Sequence, residues 1–373
     1  MIANLDIFIS FALSFTIVYF VIPKIIKVSR KIKLFDVPNH RSAARQIVPT
    51  IGGIAIFAGF IIGTIVSSNS FNINELKYLI VGTIVMFLIG LKDDIIGLQA
   101  KKKFTFQLIM AFYLVLMGGY RISNLHGLLG INEIGYVMGV FLSVFAIVGI
   151  INAVNLIDGI DGLAGGIGLL ISLVYGSWFL YSGDFIYALA SFSLAGSLIA
   201  FLLYNVFGNA NKIFMGDTGS LILGILIAGL TIHFNIYNST MQGAVHGLPA
   251  LSLAIVIVPV IDTLRVFAIR LSQKRSPFSP DMNHIHHNLL KLTGNHLTAS
   301  SIIIAVNALI ILLSFLLIDQ IGNNLLFILL LFSGFLLAGI PSYILKWQNI
   351  NSTIKGEDKS IFALSISIKK PKN

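Results

Sequence analysis

Long apolar runs separated by short polar gaps dominate this chain. Stretches of the length that a bilayer demands of a helix, about 17–25 residues, fall near 5–22, 51–67, 76–91, 104–120, 134–151, 160–181, 185–205, 218–235, 247–269, 299–318 and 324–345. They predict an all-α integral membrane protein, a polytopic bundle of about eleven transmembrane helices. The first run is expected to stay as a helix: its positive charges follow the apolar stretch, and no small-residue cleavage site is visible. No internal repeat of the transporter kind is apparent.

Composition agrees, with 56% hydrophobic and only 11% charged residues against about 25% charged in soluble domains. Alternating the runs gathers Lys and Arg on one side, from Lys24 to Arg45, Lys92 to Lys103, Lys212, and Arg270 to Lys291. The other side has only Lys77 and Arg121. The crowded side is then cytoplasmic, with the N-terminus outside and the C-terminus inside. The net charge of +10 thus reflects cytoplasmic loops rather than nucleic-acid binding. The absence of cysteine excludes disulfides and thiolate metal sites. Residues 1–346 read as one transmembrane domain and 347–373 as a basic cytoplasmic tail, whose Lys369, Lys370 and Lys372 suit anionic headgroups.

The outer gaps (68–75, 119–133, 182–184, 236–246 and 319–323) are polar without a chemical pattern, and every candidate motif lies in an inner gap. In the first of these, Arg41 and Arg45 are candidates for phosphate oxygens or simply part of a basic loop. Asp93 and Asp94 are adjacent carboxylates needing a cation. Lysines can supply it, or the pair can hold a divalent ion or accept a proton, with Lys103 on a phosphate. Oxygen ligands without cysteine favour Mg²⁺ or Mn²⁺. Asn152 to Gly166 holds Asn155, Asp158 and Asp161 at spacings of three, either capping the next helix or lining a polar site. Asp217 opens a helix, as its N-cap or as a metal ligand beside a phosphate-favouring terminus. His284, His286 and His287 suit a metal site or contacts to a nucleotide sugar. Asp262 and Arg265 just upstream read as a structural ion pair. Together the gaps suit phosphoryl transfer to a membrane-embedded acceptor, where positioning and charge neutralisation do most of the catalysis.

Four motifs in order carry a resemblance: Asp93-Asp94, Asn-x-x-Asn-x-x-Asp-Gly-x-Asp-Gly-Leu-Ala at 152–164, Phe-Met-Gly-Asp-x-Gly-Ser at 214–220, and His-Ile-His-His at 284–287. Over about 20–345 the chain resembles the polyprenyl-phosphate N-acetylhexosamine-1-phosphate transferases. The His-x-His-His form is similar to their WecA and TagO branch, which uses N-acetylglucosamine. The resemblance implies attack of undecaprenyl phosphate on the β-phosphorus of a UDP-N-acetylhexosamine, releasing UMP at the cytoplasmic face of the inner membrane. It also implies roles: Asp93 as base with Asp94 beside it, and Asp217 as the Mg²⁺ ligand. Asn155, Asp158 and Asp161 would hold the uridine diphosphate, with Asn155 near the metal as well. Lys103 and Arg41 would meet phosphate, and His284, His286 and His287 the nucleotide sugar. A homodimer is compatible. Two positions depart from the pattern, Gly97 where many relatives carry a third acid and Ala44 where a His is frequent. The alternatives are an enzyme of the MraY type, acting on a peptide-bearing sugar, and a transporter. A transporter would need ionisable residues through the helix midplanes, but apart from Arg265, Asp262 and His233 near helix ends the runs carry almost none.

Overall fold

The computed structural model describes residues 2–32, 35, 48–239, 247–276 and 282–368. Arg41 and Arg45 lie outside them. The helices are α1 (Ile2–Ile32), α2 (Gly52–Ser67), α3 (Lys77–Ile96) and α4 (Ala100–Met117), then α5 (Tyr136–Ile157), α6 (Leu163–Ser182), α7 (Phe185–Phe207) and α8 (Gly216–Ser239). After these come α9 (Leu248–Ile255), α10 (Ile257–Ser272), α11 (Ile285–Thr293) and α12 (His296–Ile368). Every apolar run is helical, and the chain is a multi-pass α-helical membrane protein. Among the described residues six helices are long and apolar enough to cross a bilayer, or up to seven if α9 and α10, bent by 80°, form one span.

One helix is apolar on every side. From Thr218 to Ile232 each residue of α8 is buried, the pattern of a helix with neighbours all round. Around it pack α2, α3, α5, α6 and α9, while α1 and α12 lie at the periphery. α12 is broken at Gly322 (φ 73°, ψ 170°). The helix continues to Ile368, past position 347 where the sequence turns polar.

The outer gaps differ from expectation in two places. Within 119–133, β1 (Asn124–Leu128) and β2 (Ile131–Glu133) form an antiparallel hairpin. Two strands alone are marginal in water. Here the break at Gly322 presents two carboxamides to the hairpin: Asn323 donates to His126 O at 3.2 Å, and Asn324 accepts from Leu129 N at 2.6 Å. The second place is a hydrogen-bonded cluster where no chemical pattern was expected. Asp184 pairs with His233 at 2.6 Å, the Tyr187 ring stacks on His233 at 3.3 Å, and the Tyr187 and Tyr120 hydroxyls meet at 2.6 Å. Its members come from separate gaps and helix ends, so no single stretch of sequence shows it.

Candidate active site

At the opposite end, the last turns of α3 carry Lys92-Asp93-Asp94 and α8 begins at Gly216-Asp217-Thr218. The helices meet there because two glycines leave room. A Cβ on Gly90 would lie 2.5 Å from Thr218 Cα. Gly216 adopts φ 72°, and a Cβ there would fall 1.8 Å from Thr50 O, so neither conformation nor space admits a side chain. The start of α2 closes the corner, with the amides of Gly52 and Gly53 donating to Phe214 O at 2.9 Å and Met215 O at 3.0 Å.

Asp94 caps α8 from another helix. Its carboxylate accepts the amides of Asp217 (2.8 Å) and Thr218 (2.9 Å) and the Thr218 hydroxyl (2.5 Å). A negative group is favourable at a helix N-terminus. Asp217 is therefore not the cap of its own helix, and its carboxylate is released for other contacts. Its Oδ1 accepts from Lys103 Nζ and, at 2.8 Å, from Asn155 Nδ2. Asn155 also donates to Ser220 Oγ at 2.8 Å. Lys103 pairs in addition with Asp93 Oδ2 at 2.8 Å, while Asp93 Oδ1 accepts the Leu98 amide at 2.6 Å. Asp93, Lys103, Asp217 and Asn155 thus form one connected set from four helix ends. Gly97, in the place of a third acid, ends α3 at φ 69°.

Asp158 follows α5 beside this set. Burial, then the charges of Asp217, Asp94 and Asp161, push its carboxyl up to about 7. A raised carboxyl favours the fold while protonated, fully so below its unfolded value near 4, and loses that contribution as pH rises through about 7. Without divalent ions, raising the pH from 6 to 8 should lower the melting temperature of the native chain more than that of Asp158→Asn, as read by tryptophan fluorescence. Equal slopes would contradict the assignment.

The next wall is tied separately. Asp161 Oδ2 meets Lys212 Nζ at 2.6 Å and His296 Nδ1 at 3.1 Å. Burial alone would raise its carboxyl, but the bonds from His296 and Lys212 hold it below the usual range. His286 lies against Gly159, where a Cβ would come within 2.1 Å of Nε2, and this brings the histidine motif onto the Asp-rich turn. Burial, then the neighbouring His287, pushes the His286 imidazole down to about 3, so the ring is neutral.

His284 is turned inward. It is 4% exposed, its Nδ1 lies 2.8 Å from Asp262 Oδ2, and its Nε2 lies 3.4 Å from Arg270. Asp262 also holds Arg265 at 3.1 Å, as the ion pair expected from sequence. Of the three histidines only His287 is partly exposed. Sequence reading passed over Thr218, Ser220, His296 and the capping role of Asp94. It noted Asp262 and Lys212 without giving either a partner in the site.

Lys103 is shared by the carboxylates of Asp93 and Asp217, and Asp94 and Asp158 lie beside Asp217. Among the described residues no three His, Asp or Glu form a ready cage for a metal. The donor set still fits a hard divalent cation, because Mg²⁺ is commonly held by one or two carboxylates and completed by substrate phosphates.

A model of the family described as glycosyl transferase family 4 matches residues 76–235, which include the Asp93–Lys103–Asn155–Asp217 set. The chain is 30% identical over 271 residues to the undecaprenyl-phosphate alpha-N-acetylglucosaminyl 1-phosphate transferase of Salmonella typhi, covering 71% of each. It is 31% identical over 291 residues to a probable undecaprenyl-phosphate N-acetylglucosaminyl 1-phosphate transferase of Bacillus subtilis, 78% of this chain and 79% of the relative. The chain belongs to glycosyl transferase family 4. As a family 4 chain it has its acidic cluster within the matched segment, and its histidine motif, beyond residue 235, joins through Gly159.

Proposed function

We propose that the chain transfers N-acetylglucosamine 1-phosphate, or a close N-acetylhexosamine 1-phosphate, from the UDP-sugar to undecaprenyl phosphate. A lipid phosphate oxygen forms a bond to the β-phosphorus, the bond between the β-phosphorus and the bridging oxygen breaks, and that oxygen leaves on the α-phosphate as UMP. The observation that carries this is the convergence of Asp93, Lys103, Asn155 and Asp217 beside Asp158, with relatives named for this transfer. Those names favour it over a peptide-bearing sugar, and competition between the two nucleotide sugars tests that choice.

Asp217 is the residue to hold Mg²⁺, or Mn²⁺, since its Oδ2 lies outside the bonds above. The ion, when bound, would neutralise the diphosphate. Asn155 orients Asp217, and its carboxamide oxygen is available to the same ion. Both oxygens of Asp93 are engaged, by Lys103 and by Leu98, so accepting the lipid phosphate's proton requires Lys103 to turn toward substrate phosphate. Asp94 acts by holding the start of α8. Asp158 and His287 face the nucleotide sugar, with His286 and Asp161 shaping the wall. Arg41, which precedes α2 in the sequence, is assigned to phosphate by resemblance.

For the membrane arrangement we take eleven spans. The 53-residue segment His296–Gln348 would be about 80 Å long as one helix, two crossings with the break at Gly322 between them. The acidic end faces the cytoplasm by the charge rule, in the cytoplasmic membrane, and a homodimer is compatible.

Purified full-length chain with radiolabelled UDP-N-acetylglucosamine, undecaprenyl phosphate and Mg²⁺ should yield labelled lipid and UMP. No labelled lipid from any UDP-N-acetylhexosamine would overturn the reading. Asp319→Asn, exposed at the far end, should leave the rate unchanged in the same assay.

A further inference from the structure

We infer that the C-terminal end of α1 carries a separate site for the phosphate head of an anionic membrane lipid. Lys27, Arg30 and Lys31 share one helix face by their spacings of three and four. With Pro23, Ile26 and Asn211 they line a cavity of about 450 Å³. The Arg30 guanidinium is fixed there by donating to Ala210 O at 2.5 Å. Among the described residues no carboxylate lines the cavity, so three cations face it without an internal counter-ion.

Two turns earlier on α1 the chain shows where the membrane ends. Tyr19 packs on Phe20 and on Tyr204, whose hydroxyl donates to Tyr19 O at 2.9 Å. Phe20 and Phe207 are 62% and 63% exposed. Such an aromatic group marks the boundary between hydrocarbon and headgroups. A basic pocket just beyond it lies at the level where lipid phosphates sit, with apolar surface below for the tails. Lys27, Arg30 and Lys31 are exposed, and they converge on one concavity beside the carboxamide of Asn211. The floor of the site adjoins Lys212, whose ammonium holds Asp161. This inference does not depend on the transfer reading, because its test measures bound lipid.

Full-length chain is reconstituted in equal parts of phosphatidylcholine and phosphatidylglycerol, extracted, and examined by native mass spectrometry for retained lipid. Phosphatidylglycerol should be retained in preference to phosphatidylcholine. Each basic group lining the cavity, beside the bound phosphate, is worth about fivefold in affinity, so Lys27→Gln/Arg30→Gln/Lys31→Gln should weaken retention by about 100-fold. The control Lys92→Gln/Lys101→Gln/Lys102→Gln removes equal charge from exposed positions at the same end and should retain lipid as the native chain does. If the loss of Arg30 unfolds the chain, Lys27→Gln/Lys31→Gln should still weaken retention by about 25-fold on the same scale. A parallel reconstitution with undecaprenyl phosphate identifies the source: whichever lipid is retained more by the native chain, and lost in the triple variant, is the occupant. Equal retention of the neutral and anionic lipids, or equal loss in the two triple variants, would overturn the inference. So would displacement of the lipid by inorganic phosphate at matched concentration.

Discussion

Asp217→Asn is expected to lower the transfer rate by about 10²–10³-fold, the usual loss when a preorganised charge is removed from a site of charge transfer. The carboxamide keeps the shape, and Asp94 still caps α8 through backbone amides that the substitution does not touch. Thermal unfolding in detergent should therefore stay close to native while the rate collapses. Rates measured across a range of Mg²⁺ test the metal role of Asp217. If Asp217 holds the ion, the variant needs more Mg²⁺ to reach half its maximal rate, and an unchanged Mg²⁺ dependence would contradict the assignment.

Asp94→Asn has the second-largest expected effect, through a different route. It exchanges a carboxylate with three donors for a carboxamide that accepts through one oxygen only. The lost charge at the helix N-terminus and the lost hydrogen bond are worth about 1–2 kcal/mol. Freed from α3, the first turn of α8 would move Asp217, and a shift of about 1 Å at such a site can cost around 10²-fold in rate. Stability and rate should therefore fall together, unlike Asp217→Asn. Asp94→Glu keeps the charge but lengthens the reach, and should recover stability before rate. A melting temperature equal to the native one in Asp94→Asn would remove the cap from the account.

The helices were legible because a bilayer leaves little choice: a backbone in hydrocarbon must satisfy its own hydrogen bonds, so apolar length alone marks them. The gathering of Asp93, Lys103, Asn155 and Asp217 was legible for a related reason. Polar residues in such a chain cost free energy, and these stand in gaps on one side. What the gaps did not show was who bonds to whom. Capping is read as a local event, between a residue and the helix it begins, so Asp217 was the natural candidate and Asp94, 123 positions away, was not. His284 looked like its neighbours in the motif, yet Asp262 draws it into the protein because a buried carboxylate needs partners. The hairpin at 124–133 and the Asp184–His233 pair escaped notice for the converse reason. The hairpin is short and is held by Asn323 and Asn324 from far along the chain, Asp184 and His233 are 49 positions apart, and neither feature has a periodicity of its own.

α8 is fastened at both extremities, by Asp94 at Asp217 and Thr218 and by Asp184 at His233. Between the two clamps lies a rod of sixteen steps, roughly 24 Å long, with no exposed side on which to adjust. A single residue added inside it would turn one clamp about 100° relative to the other. Its length and phase are thereby locked to those of α3 and α7.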